Sequence, residues 1–506
     1  MSIRRGNCEL CAKKPQLPPD SQAFYEAWLK DHQQPPDELQ VIDQLLDLDH
    51  LLLEFIAPAF PPRGAPTRRV GKLLRALLLL YIKNVRSEKF LVHTELKNNL
   101  LYRWFVRMEK DETINDSFRI GLVRLRARLA SRLKHEQWQA FLTKTVEQAQ
   151  DQHRLLLAAR QTPSASASTA GASTSGRPDT GPAFVGKVTF DLTPVKARAR
   201  ILDKRDLPKT EEQNQKPADT PQAHRPTAKK PAARKTNPPR SQGDPDAYWI
   251  TKKRRGAAGR ITEVTLGYEA GLFSTWSQGI ITGVVVREAR QSNKTEFTNW
   301  ADQYARDWGL GPGELSLSAD GEFHTGENLK HFEDQEWHLH VPVGEPHVPK
   351  GKLDYRYFSY FAAEDIFVCH EGAELKRIGY DKQKQRTRYK APAEACSNCP
   401  TGDLCKGGAG PRKVSRSDFA EQFARARTQA LTDQHRDARW AQHVYGEGSF
   451  AHGNCNHGLD HARYSGQKKM LLQGYWTAAA MNLKKAFRLL QARLSADGPT
   501  IDPVST

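Results

Sequence analysis

The chain has 506 residues and a formal net charge of +18, from 76 Lys and Arg against 58 Asp and Glu. At this length it can hold about three domains with substantial cores, which excludes a peptide-like binding module. Its excess of positive charge favours a polyanionic partner, with nucleic acid ahead of a ribosomal or membrane surface.

The first segment, residues 1–39, contains Cys8 and Cys11 as a C-x2-C pair, which is half of a tetrahedral zinc site. It has no apolar stretch typical of a secretory signal, so we expect a cytoplasmic protein with reduced cysteines. The longest aliphatic run, Leu73 to Ile82, is too short to cross a bilayer and contains Arg75. It predicts a buried helix, and we expect no membrane partner.

Apolar residues at spacings of three and four predict a helical domain over residues 40–160. Small polar residues then predict a flexible linker at 161–183. Residues 184–345 alternate strand-like and helical patterns, which is typical of a mixed sheet covered by helices. The last two segments are 431–495, which is predicted to be helical, and 496–506, which is predicted to be a disordered tail.

A strongly basic segment interrupts the predicted sheet. Residues 196–260 contain 18 Lys or Arg against 7 Asp or Glu, and the Pro-rich part at about 205–243 is predicted to be a disordered insertion. Two interpretations are open: a solvated insertion without function, or an arm that lies along the DNA backbone, which we prefer because basic disordered segments neutralise phosphates.

Three acidic residues are candidates for a shared metal site. Asp191 and Asp320 each close a strand-like run, and Glu447 lies in a stretch that leans helical. Carboxylate oxygens hold the paired Mg²⁺ ions of two-metal phosphoryl transfer, so this set fits that chemistry if the fold brings the three residues together. A lone Asp at a strand end is more often a turn residue or a helix cap.

Four cysteines fall within an insertion predicted at 346–430. Cys396, Cys399 and Cys405 form C-x2-C-x5-C, and Cys369 lies 27 residues before the first of them. Four thiols within 37 residues suit a tetrahedral zinc ion. The alternative is a set of reduced cysteines without metal in a loop-rich insertion.

The chain resembles the DDE transposases of bacterial insertion sequences. The most specific match is EGSFAHGNCNHGLDHARYSGQKKMLLQGYWTAAAMNLKK, which is similar to the family's glutamate helix. SADGEFHTGENLKHF is similar to the second-aspartate block and FDLTPVKARA to the first. The helical segment from VGKLLRALLLLYIKNV to RLRARL resembles the domain that precedes the catalytic core in this family.

The resemblance implies an α+β, or mixed α/β, fold: a helical N-terminal domain that binds DNA ends, then an RNase H-like mixed sheet with flanking helices and an inserted Cys-rich subdomain. It implies that Asp191, Asp320 and Glu447 are the catalytic residues and hold two Mg²⁺ or Mn²⁺ ions. Where the family has a basic residue seven positions after the Glu, this chain has Asn454. The DNA contacts implied by the matching blocks are Arg254, Arg255, His457, Arg463 and Lys468.

The implied function is a transposase that cleaves and transfers DNA strands of an insertion sequence. Its partners would be the terminal inverted repeats of the element and target DNA, bound by a homodimer associated with the bacterial nucleoid. Two alternatives are open: an RNase H-like nuclease that joins nothing, and a domesticated, non-catalytic DNA-binding protein that carries zinc.

Overall fold

A computed structural model describes residues 17–32, 36–45, 48, 52, 55, 57–60, 69–161, 183–198, 243–256, 259–288, 293–344, 353–405 and 410–496. These form two compact units: unit 1 is Met1–Val185, Thr189–Ser292 and Val444–Thr506, and unit 2 is Gly186–Val188 and Asn293–His443. The predicted linker, most of the basic insertion, Cys8, Cys11 and the tail lie outside the described residues.

Unit 1 begins with a helical region. Its helices are α1 (Pro19–His32), α2 (Glu38–Leu45), α3 (Val70–Ile82), α4 (Leu100–Val106), α5 (Asp116–Arg132) and α6 (His135–Gln161), with a shorter segment between α3 and α4 that consists of Glu88–Phe90, a π turn at Leu91–Glu95, and Leu96–Asn98. Asn99 and Asn115 begin α4 and α5 by accepting a backbone N–H bond from the first turn.

Helix α3 is buried over most of its length, as its aliphatic sequence predicts. The buried Arg75 is paired: its guanidinium donates to Asp43 Oδ1 at 2.7 Å and to the Phe105 carbonyl oxygen at 3.0 Å. Arg107 donates to the other oxygen of Asp43, also at 2.7 Å. These partners make the charge tolerable in the core, since an unpaired buried charge is strongly destabilising.

Four strands follow: β1 (Lys187–Lys196), β2 (Tyr248–Gly256), β3 (Gly259–Thr275) and β4 (Ile281–Glu288). The first half of β3 pairs with β2 and its second half pairs with β4, both antiparallel. Strand β1 is the other neighbour of β3. The Val, Ile and Thr residues of these strands suit a pleated, half-buried surface.

Unit 2 contains the first residues of β1, followed by α7 (Asn293–Trp308), β5 (Ser316–Ser318), α8 (Gly326–Asp334) and β6 (His338–His340). Strands β5 and β6 are parallel, and α8 is the crossover that a parallel pair requires. Phe297 stacks on Phe323 and Phe332 in the core of this unit.

The predicted insertion forms a second, antiparallel sheet with the order β11-β10-β9-β8-β7. Its strands are β7 (Phe358–Phe361), β8 (Ile366–Cys369), β9 (Glu374–Asp381), β10 (Arg386–Lys390) and β11 (Lys413–Ser417), with short helices at Ala393–Ser397 and Gly402–Cys405. Phe358, Phe367, Leu375 and Tyr389 form its core together with Cys405. Helices α9 (Ala420–Gln429) and α10 (Asp433–Ala441) complete unit 2.

The chain then returns to unit 1 through a π turn (Gln442–Glu447), α11 (Gly448–His457) and α12 (Gln467–Ala496). Helix α12 packs on α6 and β4. Gly474 permits a close approach, because a Cβ at this position would lie 2.8 Å from Val284 and 3.3 Å from Val286.

Strand β3 pairs antiparallel with β2 and with β4, whereas β5 and β6 form a parallel pair. The mixed α+β fold class predicted from the sequence is confirmed. None of the helices in the described ranges is both long enough and apolar enough to cross a bilayer.

Candidate active site

Asp191 lies in the middle of β1 and is partly exposed. Its Oδ1 accepts a bond from the Leu192 backbone N–H at 2.7 Å. A Cβ at Gly271 of β3 would lie within 3.0 Å of Phe190 and Leu192, so those side chains share one face of the sheet. Because successive side chains alternate, Asp191 lies on the opposite face.

That opposite face is the one covered by α12. Leu272 of β3 pairs with Val284 of β4, and Val284 contacts Gly474 of α12. Leu272 is adjacent to Gly271 and therefore points away from Phe190. Within unit 1, Asp191 and the C-terminal helices are consequently on the same side of the sheet.

Glu447 is the last residue of the π turn and is exposed. The turn is anchored by Tyr445, whose hydroxyl donates to the Ser277 carbonyl oxygen at 2.9 Å. Gly279, with φ of +63°, allows the Tyr445 ring to pack closely against the turn after β3. A π turn is an uncommon element that often occurs at functional sites. Here Glu447 is its last residue.

A short chain of hydrogen bonds joins the elements that carry Asp191 and Glu447. Thr189 of β1 donates from Oγ1 to the Ser274 carbonyl oxygen of β3 at 3.3 Å, and Ser274 Oγ donates to Ser449 Oγ of α11 at 3.2 Å. Thr189 and Ser449 each lie two residues from one of the carboxylates, so β3 links both elements within unit 1.

Asp320 lies in unit 2, immediately after β5, and is exposed. The strand end before it is held by Arg439 of α10, which donates to the Ala319 carbonyl oxygen at 2.7 Å and to Ser318 Oγ at 3.3 Å. The Ala319 backbone N–H donates to the His340 carbonyl oxygen at 3.1 Å. These bonds fix the backbone that presents Asp320.

His340 and His435 support the same strand end from inside unit 2. His340 Nε2 is 3.2 Å from Ser316 Oγ, and its ring centre is 5.5 Å from that of His435. Burial, with the nearby charges of His435, His338 and Arg439, lowers the pKa of His340 to about 3. Burial and the charge of Arg439 also lower the pKa of His435.

The three carboxylates are divided between the units, with Asp191 and Glu447 in unit 1 and Asp320 in unit 2. Within the described ranges, no set of three or more His, Cys, Asp or Glu side chains is assembled as a metal site. Convergence of the three residues therefore stays a prediction. Their chemistry nevertheless fits Mg²⁺ or Mn²⁺, since all three supply hard oxygen donors.

The four cysteines of the insertion line one cavity of about 330 Å³. The Ala373 backbone N–H donates to Cys369 Sγ at 3.3 Å, and Cys399 Sγ is 3.5 Å from Thr401 Oγ1. Burial raises the pKa of the Cys405 thiol; Arg412 opposes this shift, while Cys396, Cys399 and Cys369 add to it. The fold thus places four thiols around one cavity, although the first and the last of them are 36 positions apart in the sequence.

Two family profiles match the chain. One, described as Transposase DDE domain, matches residues 368–487, and the other, described as Transposase domain (DUF772), matches residues 27–126. Both matched regions are therefore transposase domains, and the first is a DDE domain. The first match includes Glu447 and the four cysteines, whereas Asp191 and Asp320 precede it.

No curated protein matches this transposase. Among solved structures, it is similar to a cryo-EM structure of the piggyBac transposase synaptic complex with hairpin DNA. The sequence identity is 10%, the similarity covers 92% of this chain and 84% of that chain, and the TM-score is 0.25.

Two of the residues predicted to contact DNA make hydrogen bonds within the chain. His457 is fully buried, donates from Nδ1 to the Tyr81 carbonyl oxygen at 3.0 Å, and has its pKa lowered to about 3, chiefly by burial. Arg463 donates to the Val85 carbonyl oxygen at 2.6 Å and to Asn84 Oδ1 at 2.7 Å. Both residues tie the C-terminal block to the end of α3. The buried His457 has no surface to offer DNA, whereas Arg463 is half-buried and stays a predicted contact.

The other predicted contacts stay predictions. Lys468 is exposed in the first turn of α12. Arg254 and Arg255 lie on β2, where their backbones pair with Ile261 and Arg260 of β3.

Three supporting residues of the site were not predicted from the sequence: Ser274, Ser449 and Arg439. Single hydrogen-bonding residues have no characteristic spacing, and the partners of these three are far along the chain. No local pattern could therefore have identified them.

Proposed function

We propose that this transposase cleaves DNA at the ends of its element and joins the freed 3′ ends to target DNA, with Asp191, Asp320 and Glu447 as its catalytic carboxylates. The observation that carries the proposal is the hydrogen-bonded link through Ser274 between the strand of Asp191 and the helix of Glu447. Asp320 follows a strand end held by α10, and α10 leads directly into the π turn that ends at Glu447.

The three carboxylates would hold two divalent cations, Mg²⁺ or Mn²⁺. When bound, the ions would supply a Lewis acid on each side of the scissile phosphate, for the attacking and the leaving oxygen. Exposure of Asp320 and Glu447 leaves their oxygens accessible to a DNA backbone. Arg439 and Tyr445 position the two backbones, which reduces the reorganisation needed for the reaction.

Two phosphoryl transfers account for the whole activity. In the first, a water oxygen bonds to phosphorus, the bond from phosphorus to the 3′ oxygen breaks, and that oxygen takes up a proton. In the second, the freed 3′-hydroxyl bonds to a target phosphorus and displaces the target's own 3′ oxygen. Neither step requires a covalent bond to the protein or a nucleotide cofactor.

The DNA partners would be the terminal inverted repeats of the element and the target duplex. We propose a homodimer on DNA, because joining both ends of one element requires an active site at each end. Mass photometry of the transposase with and without end DNA tests this: two chains per pair of ends are expected, and one chain bound to each isolated end would contradict it.

We also propose that Cys369, Cys396, Cys399 and Cys405 hold a structural zinc ion. The support is their donor chemistry and the one cavity they share. Zinc would draw four thiolates together at one end of the insertion sheet, where Cys405 already belongs to the core. The ion would then stabilise the insertion without taking part in phosphoryl transfer.

The first prediction tests the carboxylates by isosteric substitution. Asp191→Asn, Asp320→Asn and Glu447→Gln should each lower Mg²⁺-dependent nicking of end DNA by at least about 100-fold, since each removes a charged oxygen ligand at the reacting phosphate. DNA binding, measured by fluorescence anisotropy without metal, should remain nearly unchanged. Asp334→Asn, an exposed carboxylate paired with Lys330, is the matched control and should nick normally.

A strand-transfer assay with a pre-cut end separates this proposal from its alternatives. Products joined to target DNA are expected from the wild type and not from the three variants. Nicking without joining would make the protein a nuclease. Binding without either reaction would make it a non-catalytic DNA-binding protein, and normal nicking by one variant would remove that residue from the set.

A further inference from the structure

Three lysines form a row across the insertion sheet. In the strand register, Lys390 of β10 lies directly opposite Lys376 of β9 on one side and Lys413 of β11 on the other. Directly opposite residues point to the same face of a sheet, and all three side chains are exposed. We call Lys376, Lys390 and Lys413 the lysine row.

This arrangement is unfavourable for the isolated protein. Neighbouring strands lie about 4.8 Å apart, so the row places three positive charges within roughly 10 Å at their backbone attachment points. Like charges directly opposite each other destabilise a sheet. Within the described part of the chain, none of the three ammonium groups has an ion-pair partner, so intramolecular pairing does not offset this repulsion.

The charge extends beyond the row. Arg388, also exposed, lies two residues before Lys390 and opposite Ser415. The three strands contain seven Lys or Arg against Glu374 and Asp381, which are the first and last residues of β9. The middle of this face therefore carries positive charge without a carboxylate in its strands.

The row is not explained by the stability of the sheet. The insertion core is on the other face, where Leu375, adjacent to Lys376, and Tyr389, adjacent to Lys390, are buried. Tyr389 also pairs across the strands with Val414, adjacent to Lys413. Polar uncharged residues at the three lysine positions would keep this core and remove the repulsion.

We propose that the lysine row, with Arg388, binds the phosphate backbone of DNA. This inference rests on the proposed function and adds a contact surface outside the carboxylate site. A flat array of flexible point charges suits phosphates, which Lys neutralises without fixed bidentate geometry. It suits base recognition poorly, because the major and minor grooves are read by inserted elements and a flat sheet face follows the backbone.

The test is a salt titration of DNA binding with a triple variant, Lys376→Gln, Lys390→Gln and Lys413→Gln. The slope of log K against log salt should fall by about 0.9 for each phosphate that is no longer neutralised, with equal effects on end DNA and random DNA. The matched control replaces three exposed basic residues that already have acidic partners, Lys144, Lys330 and Arg436, by Gln. The control should leave the slope unchanged.

A footprint provides a readout that does not depend on a variant folding. DNA should protect Lys376, Lys390 and Lys413 of the wild-type transposase from acetylation, measured by mass spectrometry, while Lys330 stays reactive. An unchanged slope in the triple variant would overturn the inference, and so would unprotected lysines in the wild type. Loss of binding to end DNA alone would mean that the face reads bases, which would also overturn it. If the wild type bound no DNA, the proposed function itself would fail, whereas wild-type binding with an intact slope in the variant defeats only this surface.

Discussion

Asn482 shows how a single residue of the C-terminal sequence block serves the fold. Its side-chain oxygen accepts the Ile281 backbone N–H at 2.8 Å, and its amide donates to the Ile281 carbonyl oxygen at 2.8 Å and to Thr145 Oγ1 at 3.1 Å. Asn482 is 1% exposed. It therefore satisfies buried polar groups at the place where α12 meets β4 and α6.

Substitution of this residue should destabilise the transposase. Asn482→Ala leaves the Ile281 peptide and the Thr145 hydroxyl without their partner in the core, which should cost about 2–4 kcal/mol of unfolding free energy. Urea denaturation followed by circular dichroism measures it. Asn456→Ala, at an exposed position of α11, is the control and should change stability by less than about 0.5 kcal/mol. Equal stability of the two variants would contradict this role.

The residues of the block HGLDHAR illustrate a limit of sequence reasoning. Histidine and arginine in a basic protein suggest DNA contact, yet His457 and Arg463 bind the end of α3, more than 370 positions earlier in the chain. Gly458, with φ of +62°, lets Asn84 approach to 3.0 Å from the position of a Cβ. A buried contact over such a separation leaves no local pattern, so the sequence indicated the importance of the block without indicating its reason.

At the scale of elements, sequence patterns predicted helices and strands well where apolar residues dominate the segment. The buried helix α3, the strands β1, β3, β4 and β5, and the helix α7 follow from the residue pattern, whereas α12 follows from the resemblance to the family's C-terminal block. The π turn at Gln442–Glu447 was not predicted, and its Tyr445 contacts the loop after β3, far away along the chain. The insertion sheet was missed as well. Its strands β9, β10 and β11 are rich in Lys and Arg. The buried residues of its core are few: Phe358, Phe367, Leu375, Tyr389, Ala391 and Cys405.

Such a small core makes the cysteine cluster important for the insertion. Freshly purified, reduced transposase should contain about one zinc per chain, and Cys399→Ser should lower this content and raise the rate of proteolysis within residues 353–417. The helical content of unit 1 should persist. Cys455→Ser, which changes an exposed cysteine of α11 outside the cavity, should have neither effect.

The measured zinc content decides this prediction directly. Protein without zinc would leave the four thiols as a reduced cluster, and equal loss of zinc in Cys399→Ser and Cys455→Ser would assign the metal elsewhere. Two zinc ions per chain would indicate a second site, for which Cys8 and Cys11 are the candidates.

At the scale of the whole molecule, positive charge is concentrated in the lysine row and in the basic insertion. The lysine row lies on a folded sheet, while the basic insertion lies between β1 and β2, with residues 199–242 outside the described part of the chain. Both should contribute to DNA affinity through the release of counterions, which depends on the number of phosphates neutralised and not on how the cations are presented.

Removal of the basic insertion should therefore weaken DNA binding for all sequences. Residues 209–242 contain eight Lys or Arg against three Asp or Glu. They lie between β1 and β2 in the chain. The log-log salt slope should fall by about 0.9 for each phosphate that the insertion neutralises in the wild type. Sequence preference should change little, because phosphate contacts position a protein without reading its site.

A variant of full length with the eight basic residues of this segment changed to Gln separates the effect of charge from that of length, and it should behave like the deletion. Combined with the triple lysine variant, the decreases in slope should add, because the two segments would contact different phosphates. If the deletion left the salt slope unchanged, the insertion would not contact DNA phosphates. A weakening confined to end DNA would mean that the insertion reads bases, since phosphate neutralisation acts on every sequence alike.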